Sequence, residues 1–131
     1  MGGSKQYNAD GGFITQTYKQ SGTTSNGIKI LDSNINQSNG LPLFSNTPHT
    51  MYAERKNEKV IQISVYGGGK DGRMKLKDID WGHPHKNNGV TKMWQIGQIH
   101  VHEYNGRTRS TMARNPSTKE RRLAMMASYG G

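Results

Sequence analysis

The chain has 131 residues, 31% of them apolar, with 18 Lys plus Arg against 9 Asp plus Glu and no cysteine; this length holds one domain with a tail and excludes a two-domain enzyme. Leu, Ile, Val and Phe make up about 15% of the residues, so a small core is expected. The net charge of +9 favours nucleic acid or an acidic protein as partner, and the lack of thiols excludes a disulfide scaffold, Cys-zinc sites and thiol nucleophiles.

Met1-Gly2-Gly3-Ser4 opens a polar stretch that reads as linker, so residues 1–12 are expected to be a tail and residues 13–131 a single domain excised from a longer protein. No apolar run approaches the roughly 18 residues that a membrane-spanning helix needs. Phe13–Tyr18 and Ile28–Leu31 show short β-type patterns within Gly-, Ser-, Thr-, Asn- and Gln-rich surroundings, which predicts a loose hairpin in an otherwise irregular N-terminal segment. Lys59–Tyr66 is rich in β-branched residues, Gly67–Gly72 turns, and Arg73–Trp81 alternates, the pattern of a β-hairpin with a Gly-rich loop. Strict alternation puts Met74, Leu76, Asp78 and Asp80 on one face and Arg73, Lys75, Lys77, Ile79 and Trp81 on the other. A third strand is predicted from Met93 to Tyr104. Ser117 and Glu120 have capping-box spacing ahead of a short helix that ends near Gly130 and docks through Leu123, Met126 and Ala127. The expected fold is α+β: a small twisted antiparallel sheet of three to five strands with a C-terminal helix.

The histidines carry the chemical signal. His83-Pro84-His85 and His100-Val101-His102 fall close together, with Asp78, Asp80 and Glu103 nearby. Residues i and i+2 of a strand share a side, so His100 and His102 address one site, and Pro84 stiffens the loop that presents His83 and His85. Two chemistries fit. Imidazoles on either side of a phosphodiester can take a proton from a ribose 2′-hydroxyl and return one to the leaving oxygen, with Asp78 or Asp80 orienting them and no cofactor required. Alternatively, His100, His102, His83 and Asp80 can hold a divalent metal such as zinc, whose bound water becomes a nucleophile. Arg107, Arg109, Arg114, Lys119, Arg121 and Arg122 form a basic stretch suited to phosphate contact. Trp81, Trp94, Tyr66 and Tyr104, interleaved with Arg, could stack unpaired bases, but in a chain this poor in Leu and Val they are read as core. There is no P-loop, dinucleotide glycine pattern, G-x-S-x-G or H-E-x-x-H, so nucleotide hydrolysis, hydride transfer and serine hydrolysis fall away.

Leu41–Pro48, Val60–Gly67, Asp71-Gly72-Arg73, Lys77–Trp81, His83 and His100-Val101-His102, taken in order, resemble the C-terminal nuclease-type toxin domain of bacterial polymorphic toxins of the contact-dependent inhibition and Rhs-like types. In this chain His83-Pro84-His85 stands where that pattern has His-Gly, and Ile99 where it has Pro; similar stretches occur in some phage structural proteins. The resemblance implies a domain released from a larger delivered effector into the cytoplasm of a target bacterium. Its activity there would be ribonuclease in preference to DNase, on tRNA or rRNA, neutralised by a cognate immunity protein expected to be acidic. By the motif match the site residues are Asp78, Asp80, His83, His100 and His102, with His85 added from the His-Pro-His pair. A metal-dependent DNase and a non-enzymatic, phage-related nucleic-acid-binding module are the alternatives.

Overall fold

A computed structural model describes residues 4–7, 13–24, 27–32, 41–87 and 93–129. Its strands are β1 (Ser4–Tyr7), β2 (Phe13–Thr23), β3 (Lys29–Asp32), β4 (Met51–Lys56), β5 (Lys59–Gly68), β6 (Met74–Asp80), β7 (His85–Lys86), β8 (Met93–Trp94), β9 (His100–Asn105) and β10 (Thr108–Arg109), followed by helix α1 (Thr118–Ser128). One eight-stranded sheet runs in the order β1-β2-β3-β4-β5-β6-β9-β10, and β7 and β8 form a separate two-stranded ribbon. The α+β class holds, with mostly sheet and one helix among the described residues. The sheet is larger than the expected three to five strands and it is mixed, because β3 and β4 run parallel while every other adjacent pair is antiparallel.

The loose hairpin expected from Phe13–Tyr18 and Ile28–Leu31 is present as the antiparallel pair β2 and β3, while the stretch read as tail adds a further strand, with Ser4–Tyr7 pairing with β2. Asp32 and Arg55 are partners across the parallel seam and form a bidentate ion pair at 2.6 and 3.0 Å. The predicted hairpin is present as β5 and β6. The strand predicted from Met93 to Tyr104 is divided: Trp94 ends β8, the chain turns at Ile96-Gly97, and β9 begins at His100.

Register gives the sheet two unlike faces, since directly paired residues point to the same side. Ile30, Ala53, Ile63, Ile79 and Val101 lie side by side across β3-β4-β5-β6-β9. All are buried, and with Ala127 and Leu123 of α1 they form the main core. The helix starts as predicted: Ser117 Oγ accepts from Glu120 N–H, and Glu120 accepts from Ser117 N–H. The opposite face carries Glu54, Gln62, Asp80 and His100 in one row and Tyr52, Ser64, Asp78 and His102 in the next. All eight are buried.

One bulge corrects the expected alternation. Val65 pairs with Lys77 but Tyr66 pairs with Lys75, so Leu76 is the extra residue and the side-chain phase of β6 reverses there. Lys75, rather than Leu76, therefore shares the face of Asp78 and Asp80. Leu76 is left 43% exposed while Lys75 is buried. The segment Leu41–Ser45 runs beside this part of β6, with Lys75 N–H donating to Leu43 C=O and Ser45 N–H to Arg73 C=O.

Candidate active site

The polar face owes its burial to a connected set of bonds. Asp78 accepts from Ser64 Oγ at 2.6 Å and from Tyr104 OH at 3.0 Å, and Lys75 Nζ lies 3.2 Å from it. Lys75 Nζ also donates to Leu41 C=O at 2.6 Å and stands over the rings of Tyr66 and Tyr104. A buried cation with a carboxylate, a carbonyl and two ring faces around it is compensated for lost hydration. Asp78 thereby ties β5, β6 and β9 together on this face. Burial, with the Asp78 charge beside it, pushes the Tyr104 hydroxyl up, so Tyr104 remains a donor.

Asp80 differs. Gly82 N–H donates to one of its oxygens at 3.0 Å, and the other lies 3.3 Å from His83 Nδ1. Burial, opposed by the Gly82 bond and reinforced by the charges of Asp78 and Glu54, raises its pKa to about 7. His83 is half exposed, and burial of the rest of its ring together with the nearby Arg109 charge lowers its pKa. These two groups line a cleft of about 770 Å³ with Asp78, Tyr104, Glu54 and Gln62, and Lys56, Lys59 and Arg109 also line it. Glu54 accepts from Gln62 Nε2 at 2.6 Å, while its second oxygen is buried without a hydrogen-bond partner.

His85, His100 and His102 lie beside this cleft and do not line it. The ring of His85 is 5.3 Å from that of His100, stacked on it, and 4.6 Å from that of His102, edge on. His100 is completely buried; burial, with His102, His83 and His85 around it, lowers its pKa to about 4. Burial also lowers that of His102, whose Nδ1 bonds Ser110 C=O at 2.8 Å. His85 reaches Asn87, which in turn holds Ala113 at both N–H and C=O.

All six expected acid, base and ligand residues, Asp78, Asp80, His83, His85, His100 and His102, thus meet on one side of the sheet. The expected phosphate-binding residues do not meet there. Only Arg109 lines the cleft. Arg114 is held by Glu120 at 2.8 and 2.9 Å and by Glu103 at 3.2 Å, on the helix side, and Lys119, Arg121 and Arg122 are exposed on or beside α1, which covers the apolar face. Arg107 lies over the Phe44 ring. These cations share one stretch of chain, but α1, which carries Lys119, Arg121 and Arg122, packs on the apolar face through Leu123 and Ala127.

Lys75, Lys56, Lys59, Glu54 and Gln62 were not expected here. Gln62 and Ser64 alternate with Ile61, Ile63 and Val65, a pattern that could have marked them as facing a polar surface. No family model matches the chain, and no curated protein or solved structure matches it significantly. Among the described residues no helix is long and apolar enough to cross a membrane.

Proposed function

We propose that this protein is a nuclease domain that cleaves RNA at the Asp80–His83 cleft. The observation that carries the reading is the contact of Asp80 with His83 at 3.3 Å inside a cleft also lined by Lys56, Lys59 and Arg109. A carboxyl and an imidazole in contact can serve as the two proton-transfer groups of a transesterification. One takes the ribose 2′-hydroxyl proton and the other protonates the departing 5′ oxygen. Arg109 supplies positive charge where the phosphate becomes more anionic. Tyr104 and Lys75 fix Asp78, Gly82 N–H fixes Asp80 at the end of β6, and His83 meets Asp80 from the turn that follows.

The resemblance to polymorphic-toxin nuclease domains supports a toxic role in the cytoplasm of a target bacterium, and the +9 charge suits rapid capture by an acidic immunity protein. Metal-assisted hydrolysis, on DNA as well as RNA, is the second reading. It is favoured by one observation: Asp80, His83 and His100 offer ligand atoms within 4.8 Å of one another.

The test is incubation of purified protein with total bacterial RNA and with plasmid DNA, with and without EDTA, alongside His83→Ala and Asp80→Asn. Discrete RNA cleavage that persists in EDTA and falls at least a hundredfold in both variants is expected. Loss in EDTA from a protein that circular dichroism shows to be folded selects the metal reading. No cleavage of either polymer by the folded protein overturns both and leaves a binding module.

A further inference from the structure

We propose that His85, His100 and His102 form a binding site for a divalent metal ion of the zinc type, separate from the Asp80–His83 pair. It does not rest on the nuclease reading. The three rings come from two different layers, His100 and His102 from adjacent same-side positions of β9 and His85 from the β7–β8 ribbon. Each offers a ligand nitrogen, all within 4.8 Å of one another.

Their hydrogen bonds decide which nitrogen is available. His102 Nδ1 faces the carbonyl of Ser110, which can only accept, so Nδ1 carries the proton and Nε2 carries the lone pair. That Nε2 is buried and has no hydrogen-bond partner. Asn87 donates through Nδ2 to Ala113 C=O and accepts at Oδ1 from Ala113 N–H, which fixes the orientation of its amide. The contact of His85 Nε2 with Oδ1 at 2.9 Å therefore makes Nε2 the donor and leaves the lone pair on Nδ1. His100, fully buried, has neither ring nitrogen bonded.

A folded chain rarely leaves three buried ring nitrogens, both of His100 and Nε2 of His102, without a partner. Backbone carbonyls and amides on the far nitrogens are the usual supports of metal-binding imidazoles, since they fix tautomer and ring direction. Three neutral imidazoles with no carboxylate among them select zinc, cobalt, nickel or copper over magnesium or calcium, which require oxygen. Bond lengths of about 2.0–2.1 Å would draw the rings slightly closer than they stand and pin the ribbon to the sheet.

The experiment strips the whole protein with EDTA, removes the chelator, and titrates it with zinc chloride by calorimetry and with cobalt(II) by visible absorption. Expected are one ion per chain, submicromolar zinc affinity, the intense visible bands of tetrahedral cobalt and a rise in melting temperature of several degrees. His85→Ala and His102→Ala should weaken zinc binding at least a hundredfold, and His83→Ala should leave it within threefold. The cobalt spectrum of the unaltered protein needs no variant, so a variant that fails to fold does not decide the outcome. Absence of binding to the unaltered protein overturns the proposal, as does binding that survives in folded His85→Ala or is lost in His83→Ala. RNA cleavage is read separately: loss of cleavage in His83→Ala with zinc binding intact tells the two sites apart.

Discussion

Gly82 stands where the chain leaves β6, between Asp80 and His83. A Cβ at this position would lie 2.6 Å from Ile61 Cβ, an atom fixed on the central strand β5, so the turn must move for any larger residue to fit. The same residue's N–H holds Asp80, and Trp81 N–H bonds Ile61 C=O at 3.0 Å. Gly82→Ala should therefore pull His83 away from Asp80. We expect at least a tenfold loss of RNA cleavage and about 1–3 kcal/mol of destabilisation, read in a urea melt beside the activity assay. Activity and stability equal to those of the unaltered protein would show that the turn has slack. At this scale the sequence was informative about the histidines, because the i, i+2 rule alone puts His100 and His102 together. It was uninformative about Lys75. A one-residue bulge at Leu76 leaves no mark in the alternation of Met74–Asp80, and only pairing with β5 shows that the phase turns over there.

Helix α1 depends on one buried carboxylate. Glu120 is the partner of Arg114 and Lys77 and closes the capping box with Ser117, while its own side chain is 2% exposed. The hydrogen bonds from Arg114 hold its pKa well below the usual carboxylate range, against the opposing effect of burial. A depressed folded-state pKa means that the unfolded chain binds the proton more readily. The stabilisation is thus complete above the ordinary carboxyl pKa of about 4.3 and fades as the pH falls below it. Both cationic partners are partly exposed, so Glu120→Gln is expected to cost about 1–3 kcal/mol at pH 7. The difference from the unaltered protein should shrink below about pH 4; a gap independent of pH in thermal melts would remove the charge from the explanation. This cap could be read from Ser117 and Glu120 alone. β4 could not, because its turn hides its signal: Asn57 and Glu58 both have positive φ, 52° and 64°, as a two-residue hairpin turn demands, yet the second position lacks the glycine that usually announces such a turn.

Among the described residues, positive charge stands both in the cleft and on the helix. Arg109, Lys56 and Lys59 line the cleft, whereas Lys119, Arg121 and Arg122 belong to the helix side. If RNA enters by the cleft, Arg109→Gln should weaken binding severalfold and reduce the magnitude of the salt slope by about one, and Arg122→Gln should change neither. Filter binding at several salt concentrations measures both; equal losses in the two variants would move the phosphate track to the helix. Composition foretold the excess of charge, but which cations share a surface depends on strand order, and that order contains a crossover no local pattern announces.

The parallel seam between β3 and β4 also bears on how the sheet is built in time. β4, β5 and β6 are joined by a tight turn and a short loop, so their pairing requires little closure entropy. β3 and β4 pair in the same direction and are separated by a longer stretch of chain, so their closure is less local and slower. The polar rows of β4–β6 can thus assemble before the N-terminal strands arrive. The Asp32–Arg55 pair then works as a latch on a late-docking arm, and amides of β2 and β3 should exchange with solvent well before those of β5.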